Sequence, residues 1–158
     1  MQDTAAITAL PDSLPEKFRI IDVLVNNAGK ALGVAPVDET LPEDIEGMIQ
    51  TNVIGLMQMT TAISKGMKKR GSGHIISIGS ISGHHTYPGG SVYCASKFAV
   101  DGYMRAVQSD MVGTPVRVSV VSPGFAETEF SLVRFKGDAD RAGQVYKDIV
   151  ALNAADCA

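Results

Sequence analysis

Three short apolar runs constrain this chain more than anything else in it: Ile20 to Val25, His74 to Ile78, and Val116 to Val121. Each is rich in Val or Ile and stops abruptly, and the first is nearly continuous, which is the pattern of a buried strand. The runs end in Asn26-Asn27-Ala28-Gly29, Gly79-Ser80-Ile81-Ser82-Gly83 and Ser122-Pro123-Gly124. Long helical stretches lie between consecutive runs. They predict right-handed crossovers and an α/β fold, a parallel sheet with helices on both faces. Such a fold gathers its chemistry beyond the carboxyl ends of the strands, where these three loops fall.

The first crossover reads as one long helix. Thr40 is its expected N-cap, Pro42 sits in its first turn, Glu43 takes the capping-box position, and Gly71 ends it after Lys68-Lys69-Arg70. Its apolar stripe is Ile45, Ile49, Leu56, Met59, Ile63 and Met67, and Asn52 interrupts it. A second long helix runs from Ser91 to about Val112, stopped by Gly113, and a third from Ala139 to about Leu152. Residues 1–18 read as a weak helix broken near Pro11 and Pro15, a connector more than a folding nucleus.

Composition narrows the class. With 158 residues, 45% hydrophobic and 20% charged, the chain makes one ordered domain. A net charge of −3 argues against nucleic acid as a partner, and no apolar run approaches the roughly 18–20 residues of a membrane span. Asp3 lies where a secretory leader would carry basic residues, and Cys94 and Cys157 read as reduced thiols, so a cytoplasmic protein is expected.

Tyr93 and Lys97 stand four apart near the start of the second long helix and share one face. A phenol titrates near pH 10, too high for acid–base work near neutrality, and a neighbouring ammonium lowers that value. The spacing alone is unspecific. Ser80 lies thirteen residues before Tyr93 in a loop able to fold over the helix start; its hydroxyl either makes a turn or holds a substrate oxygen. Asn52, an amide on a core-facing stripe, needs partners: either a backbone hydrogen bond or a water in a proton relay. His84 and His85 are adjacent, diverge, and have no third ligand at metal spacing.

Taken in order and at these spacings, Asn26-Asn27-Ala28-Gly29, Asn52, Ser80, Tyr93-x-x-x-Lys97 and Pro123-Gly124 resemble the short-chain dehydrogenase/reductases. The stretch Thr128 to Ser131 with Val133 to Asp138 resembles a branch of NADP-dependent enzymes acting on 3-hydroxy acids and β-hydroxy amino acids such as serine. The resemblance implies a Rossmann-like fold and a set of roles. Tyr93 would be the general acid/base, Lys97 would lower its pKa and bind the nicotinamide ribose, and Ser80 would polarise the substrate oxygen. Asn52 would hold a water linking Lys97 to solvent. Asn27, Ala28 and Gly29 would line the cofactor cleft, with Pro123, Gly124 and Thr128 by the nicotinamide and Phe130 to Asp138 in a mobile substrate loop. The implied partners are NADP, with NAD possible, a small hydroxy or keto substrate, and further copies in a homodimer or homotetramer.

The departures matter as much. Members of the family open with a strand, a glycine-rich loop and a helix that hold the cofactor pyrophosphate, whereas here no glycine precedes Gly29. Residues 1–158 are therefore expected to be one partial domain, the catalytic middle portion without the N-terminal βαβ glycine-rich unit. Little activity is expected of it alone, and its first strand should present an open apolar edge. The competing expectation is a non-catalytic interaction module assembling through the two long helices. Arg134 could pair a carboxylate, but an arginine on a loop is ordinarily solvated.

Overall fold

A computed structural model describes residues 1–158. The apolar runs form a parallel three-stranded sheet in the order β1 (Val23–Asn26), β2 (His74–Ile78), β3 (Arg117–Val121). The register pairs Val25 with Ile76 and Ile76 with Ser119. β1 is shorter than its run because pairing begins only where β2 begins, with Val23 opposite His74. Ile20 and Ile21 precede the ladder.

The helices are α1 (Thr4–Ser13), α2 (Pro42–Ile49), α3 (Gly55–Arg70), α4 (Ser91–Asp110), α5 (Phe130–Arg134) and α6 (Ala139–Gln144). α3 and α4 lie on one face of the sheet. There Leu56, Ile63 and Met67 of α3 and Val100, Met104 and Val107 of α4 close over Ile75 in a single core. Asn26 at the end of β1 donates to Thr60 Oγ1 of α3 (2.9 Å) and Ser77 Oγ of β2 (3.2 Å), a polar pin inside that core. The expected second helical layer is not among these elements. On the opposite sheet face Val23 and Val25 are 52% and 53% exposed and Val121 is 38% exposed. No helix is long and apolar enough to cross a membrane.

Four local expectations need correction. The long first helix is two, α2 and α3, joined by a π-helical turn at Gln50–Ile54. One extra residue in that turn rotates α2 by about 100° relative to α3. Met48 is consequently buried and Ile45, placed on the stripe by an unbroken period, is exposed. Thr40 is not the N-cap: Leu41 is, and the Thr40 hydroxyl bonds back to Pro36 O at 3.1 Å. α6 ends at Gln144, because Asp148 adopts a left-handed φ of 64° and Leu152 pairs with Ala126 instead of continuing a helix. Residues 4–13 form a real helix, capped by Asp3 (Oδ1 accepts Ala6 N at 2.9 Å) and docked on α3 through buried Ile7 and a Gln58–Thr4 bond of 2.9 Å.

Candidate active site

The three strand-end loops are stitched to one another and to α4. Gly79 N donates to Val121 O (2.7 Å) and Ile81 N to Pro123 O (3.1 Å), joining the second loop to the third. Gly83 lies against α4 so closely that a Cβ there would sit 2.9 Å from Lys97 O. Ser80, although thirteen residues from Tyr93 in sequence, is thereby brought beside it. Its backbone is extended and its Oγ caps the short 3-10 turn Ile81–Gly83, accepting from Ser82 N at 3.1 Å.

The first loop is held by Asn52, 1% exposed in the π turn. Its Oδ1 accepts Lys30 N (2.8 Å), and its Nδ2 donates to Lys30 O (2.8 Å) and Ser96 Oγ (3.0 Å). Ser96 in turn donates to Tyr93 O at 2.7 Å. One amide therefore fixes the β1–α2 loop against the turn of α4 that carries the phenol. Both donors of that amide go to protein groups, which favours the structural of its two readings.

Tyr93 and Lys97 are 9% and 7% exposed, with Lys97 Nζ 5.9 Å from the Tyr93 ring centroid. The ammonium donates to Ile78 O at 2.8 Å, at the carboxyl end of β2. Burial, with no carboxylate to offset it, pulls Lys97 down to about 8. Burial also raises the Tyr93 phenol above its ordinary value, while Ser80 and Arg134 draw it the other way. This revises the expectation that the phenol is depressed by Lys97. Two cations flank the Tyr93 ring, Lys97 with Nζ 5.9 Å and Arg134 with Cζ 5.8 Å from its centroid, and burial outweighs them.

Three cavities border Tyr93, and two of them also reach Ser80. The larger, about 620 Å³, is lined by Ser80, Tyr93 and Lys97 together with Asn27, Gly29, Pro123, Gly124 and Thr128. Of the residues expected at a cofactor, Ala28 lies outside that lining, and Asn52 stands behind it. The smaller, about 170 Å³, lies between Ser80 and Tyr93 on one side and Tyr87, Phe130, Arg134 and Tyr146 on the other. Phe130 packs edge-on against Tyr93 at 5.6 Å. Arg134 is not free in solvent: it is partly buried, its Nε donates to Gly33 O (3.3 Å), and its Nη2 donates to the Tyr87 hydroxyl. Tyr87 and Tyr146 were not legible as site residues. Neither stands at a recognisable spacing from Tyr93: the β2–α4 loop carries Tyr87 to the site, and the chain beyond the third loop carries Tyr146.

Comparison with known proteins follows the same lines. The short chain dehydrogenase family model matches residues 1–138. The chain is 48% identical over 157 residues to the NADP-dependent 3-hydroxy acid dehydrogenase YdfG of Salmonella typhi, covering 99% of this chain and 63% of that one. It is 42% identical over 158 residues to the NADP-dependent 3-hydroxy acid dehydrogenase of Schizosaccharomyces pombe, covering 100% of this chain and 61% of that one. The chain thus spans less than two thirds of the length of these relatives. Among solved structures, the closed form of serine dehydrogenase complexed with NADP+ superposes with a TM-score of 0.93 at 47% identity, over 96% of this chain and 62% of the other.

Proposed function

The chain belongs to the short chain dehydrogenase family, and from that membership and the cleft around Tyr93 we propose that it is an oxidoreductase moving a hydride between NADP and a small hydroxy or keto acid. The observation that carries this reading is the meeting of Tyr93, Lys97 and Ser80 in one cleft at the carboxyl ends of parallel strands. The relatives' names favour NADP over NAD, and a 3-hydroxy acid or serine as the substrate.

The residues present suit the nicotinamide end of such a cofactor. The large cleft passes Gly29 and Gly124, and nothing lies within 4 Å of a Cβ built at Gly124. No glycine precedes Gly29, so a pyrophosphate finds no backbone cradle ahead of that loop in these 158 residues. When bound, NADP supplies or takes up the hydride. Tyr93 gives the phenolic proton to the carbonyl oxygen in reduction and receives it in oxidation, while the Ser80 hydroxyl donates to the same oxygen and orients it. Lys97 binds the ribose hydroxyls and offsets the charge of a forming phenolate. Asn52 serves this site first by holding the Lys30 loop against α4, and a water linking Lys97 to solvent would use the remaining lone pair of its Oδ1. Asn27 and Gly29 border the cleft on one side, with Ala28 between them in the chain but outside the lining, and Pro123, Gly124 and Thr128 border it on the other. Assembly into a dimer or tetramer and a cytoplasmic setting belong to the same reading.

The test is titration with NADPH followed by oxidation of 3-hydroxypropionate and of serine, read as nicotinamide absorbance. Tyr93→Phe is expected to cut turnover by about 10²–10⁴ while leaving the far-UV spectrum unchanged; unchanged turnover overturns the proposal. The 158-residue polypeptide by itself is expected to bind NADPH weakly, and micromolar affinity would remove that part. A second reading, an interaction module without catalysis, is favoured by the uncovered valines of the sheet. A clean monomer in size-exclusion chromatography with light scattering would count against it.

A further inference from the structure

We propose that Arg134 is the anchor for the carboxylate of the substrate, which binds between its guanidinium and the Tyr87 hydroxyl and thereby holds the α5 segment closed. This rests on the oxidoreductase reading of the same cavity.

The starting observation is a cation without an anion. Arg134 is partly buried, and its recorded partners are neutral: Gly33 O, the Tyr87 hydroxyl, and the faces of Tyr87 and Tyr93 at 5.3 and 5.8 Å from Cζ. The two ion pairs of the chain lie elsewhere, Arg105–Asp101 and Lys136–Asp44. A guanidinium partly withdrawn from water and given only neutral partners loses some solvation, which a carboxylate would restore. Its fork of N–H donors matches a carboxylate in two parallel bonds.

Location selects the anion. Arg134 lines the small cavity together with Ser80 and Tyr93, the groups proposed to act on the carbonyl or hydroxyl oxygen. One molecule of a few carbons can therefore touch both ends, with its reacting oxygen at the phenol and its carboxylate at the guanidinium. Tyr87 is suited to the exchange. Burial keeps its phenol protonated above the ordinary value, so it accepts from Arg134 now and can donate to a carboxylate that arrives. The rest of the wall, Phe130 with the hydroxyls of Ser131 and Tyr146 bonded to each other at 2.7 Å, carries no charge to compete.

The anchor also sits on the segment that covers the site. Arg134 is the last residue of α5, and this end of the segment is tied to the β1–α2 loop and to α2. Gly33 N donates to Arg134 O at 2.8 Å, Arg134 Nε returns a bond to Gly33 O, and Lys136 pairs with Asp44 at 3.0 Å. A carboxylate on the guanidinium adds a further tie between that segment and the site. A neutral analogue of the same shape does not, so recognition of charge and closure are one event.

The test compares 3-hydroxypropionate with its uncharged amide, by equilibrium calorimetry and ligand-observed NMR, on the chain and on Arg134→Gln, Arg134→Lys and Tyr87→Phe. The carboxylate is expected to bind at least about tenfold more tightly than the amide. Arg134→Gln should bring the two within about threefold, Arg134→Lys should fall between, and Tyr87→Phe should lose part of the preference. Thermal melts identify any variant that fails to fold, and Tyr87→Phe, which keeps the ring, then carries the comparison. Equal binding of acid and amide by the unsubstituted chain, no binding of either, or carboxylate binding untouched in Arg134→Gln overturns the anchor. Turnover with NADP separates the two proposals. Oxidation that proceeds equally in Arg134→Gln leaves the oxidoreductase reading standing and the anchor fallen; Arg134-dependent binding without turnover does the reverse.

Discussion

Lys97 is an ammonium held out of water with a single carbonyl for company. A lysine whose folded pKa is about 8, against 10.5 when solvated, binds fewer protons folded than unfolded between those limits, so its contribution to stability rises with pH across that window. Below pH 8 its burial as a charge costs about 3 kcal/mol. Lys97→Met is accordingly expected to be more stable than the parent at pH 7, with the advantage shrinking by pH 9.5 or so. Urea melts at the two values check this, and a constant difference would contradict it. The upper limit stays below about pH 10 because Tyr93, raised by burial, contributes with the opposite sign above it. The same contrast explains what could be read at this scale from sequence alone. Tyr93 and Lys97 share a helix face by spacing, so their proximity was legible. The direction of the Tyr93 shift was not, because burial decides it, and burial is set by tertiary packing and not by the helix spacing. Arg134 meets Tyr87 across 47 positions and Gly33 across 101, and no local pattern encodes such contacts.

Between helices α2 and α3, one inserted residue does two things: it turns Met48 inward and places Asn52 where it can grip the Lys30 peptide from both sides. Asn52→Ala would leave the Lys30 amide, the Lys30 carbonyl and the Ser96 hydroxyl short of a partner, at about 1–3 kcal/mol for each buried group left unmade. Stability should fall by a few kcal/mol, and the Lys30 amide should lose most of its hydrogen-exchange protection while amides in the centre of α3 keep theirs. Equal loss in both places would mean that Asn52 supports the whole helix and not the loop. In the sequence this element was half legible. Asn52, Leu56, Ile63 and Met67 do keep one period and are all buried, so the interruption of the stripe was seen correctly. Continuing that period back through Ile45 failed, since a π turn shifts phase without any marker in composition. α3's basic end and Gly71, with φ of 67°, were read correctly because capping chemistry is local. The end of α6 was not, because the pairing of Leu152 with Ala126 depends on the third loop.

Across the molecule, the order strand–helix–strand–helix–strand dictated the parallel sheet, and the resulting layer is covered on one side. Val25 on the open face is the simplest handle. Val25→Thr keeps the branched shape that suits a strand but lowers the apolar character of that face. Its expected effect is weaker binding of a hydrophobic dye and less concentration-dependent light scattering, at nearly unchanged stability. Dye binding equal to the parent's would show that the open face is not what such probes sense. The strap between Gly33 and Arg134 carries a different consequence, one of timing. Its two ends are 101 positions apart, and synthesis at roughly 5–20 residues per second separates their emergence by about 5–20 s. Throughout that interval the β1–α2 loop and, once made, Tyr93 stand without their cover. A growing chain of this family therefore completes its proton-handling groups before it can enclose anything beside them, so closure follows the making of Tyr93 and Lys97 and never precedes it.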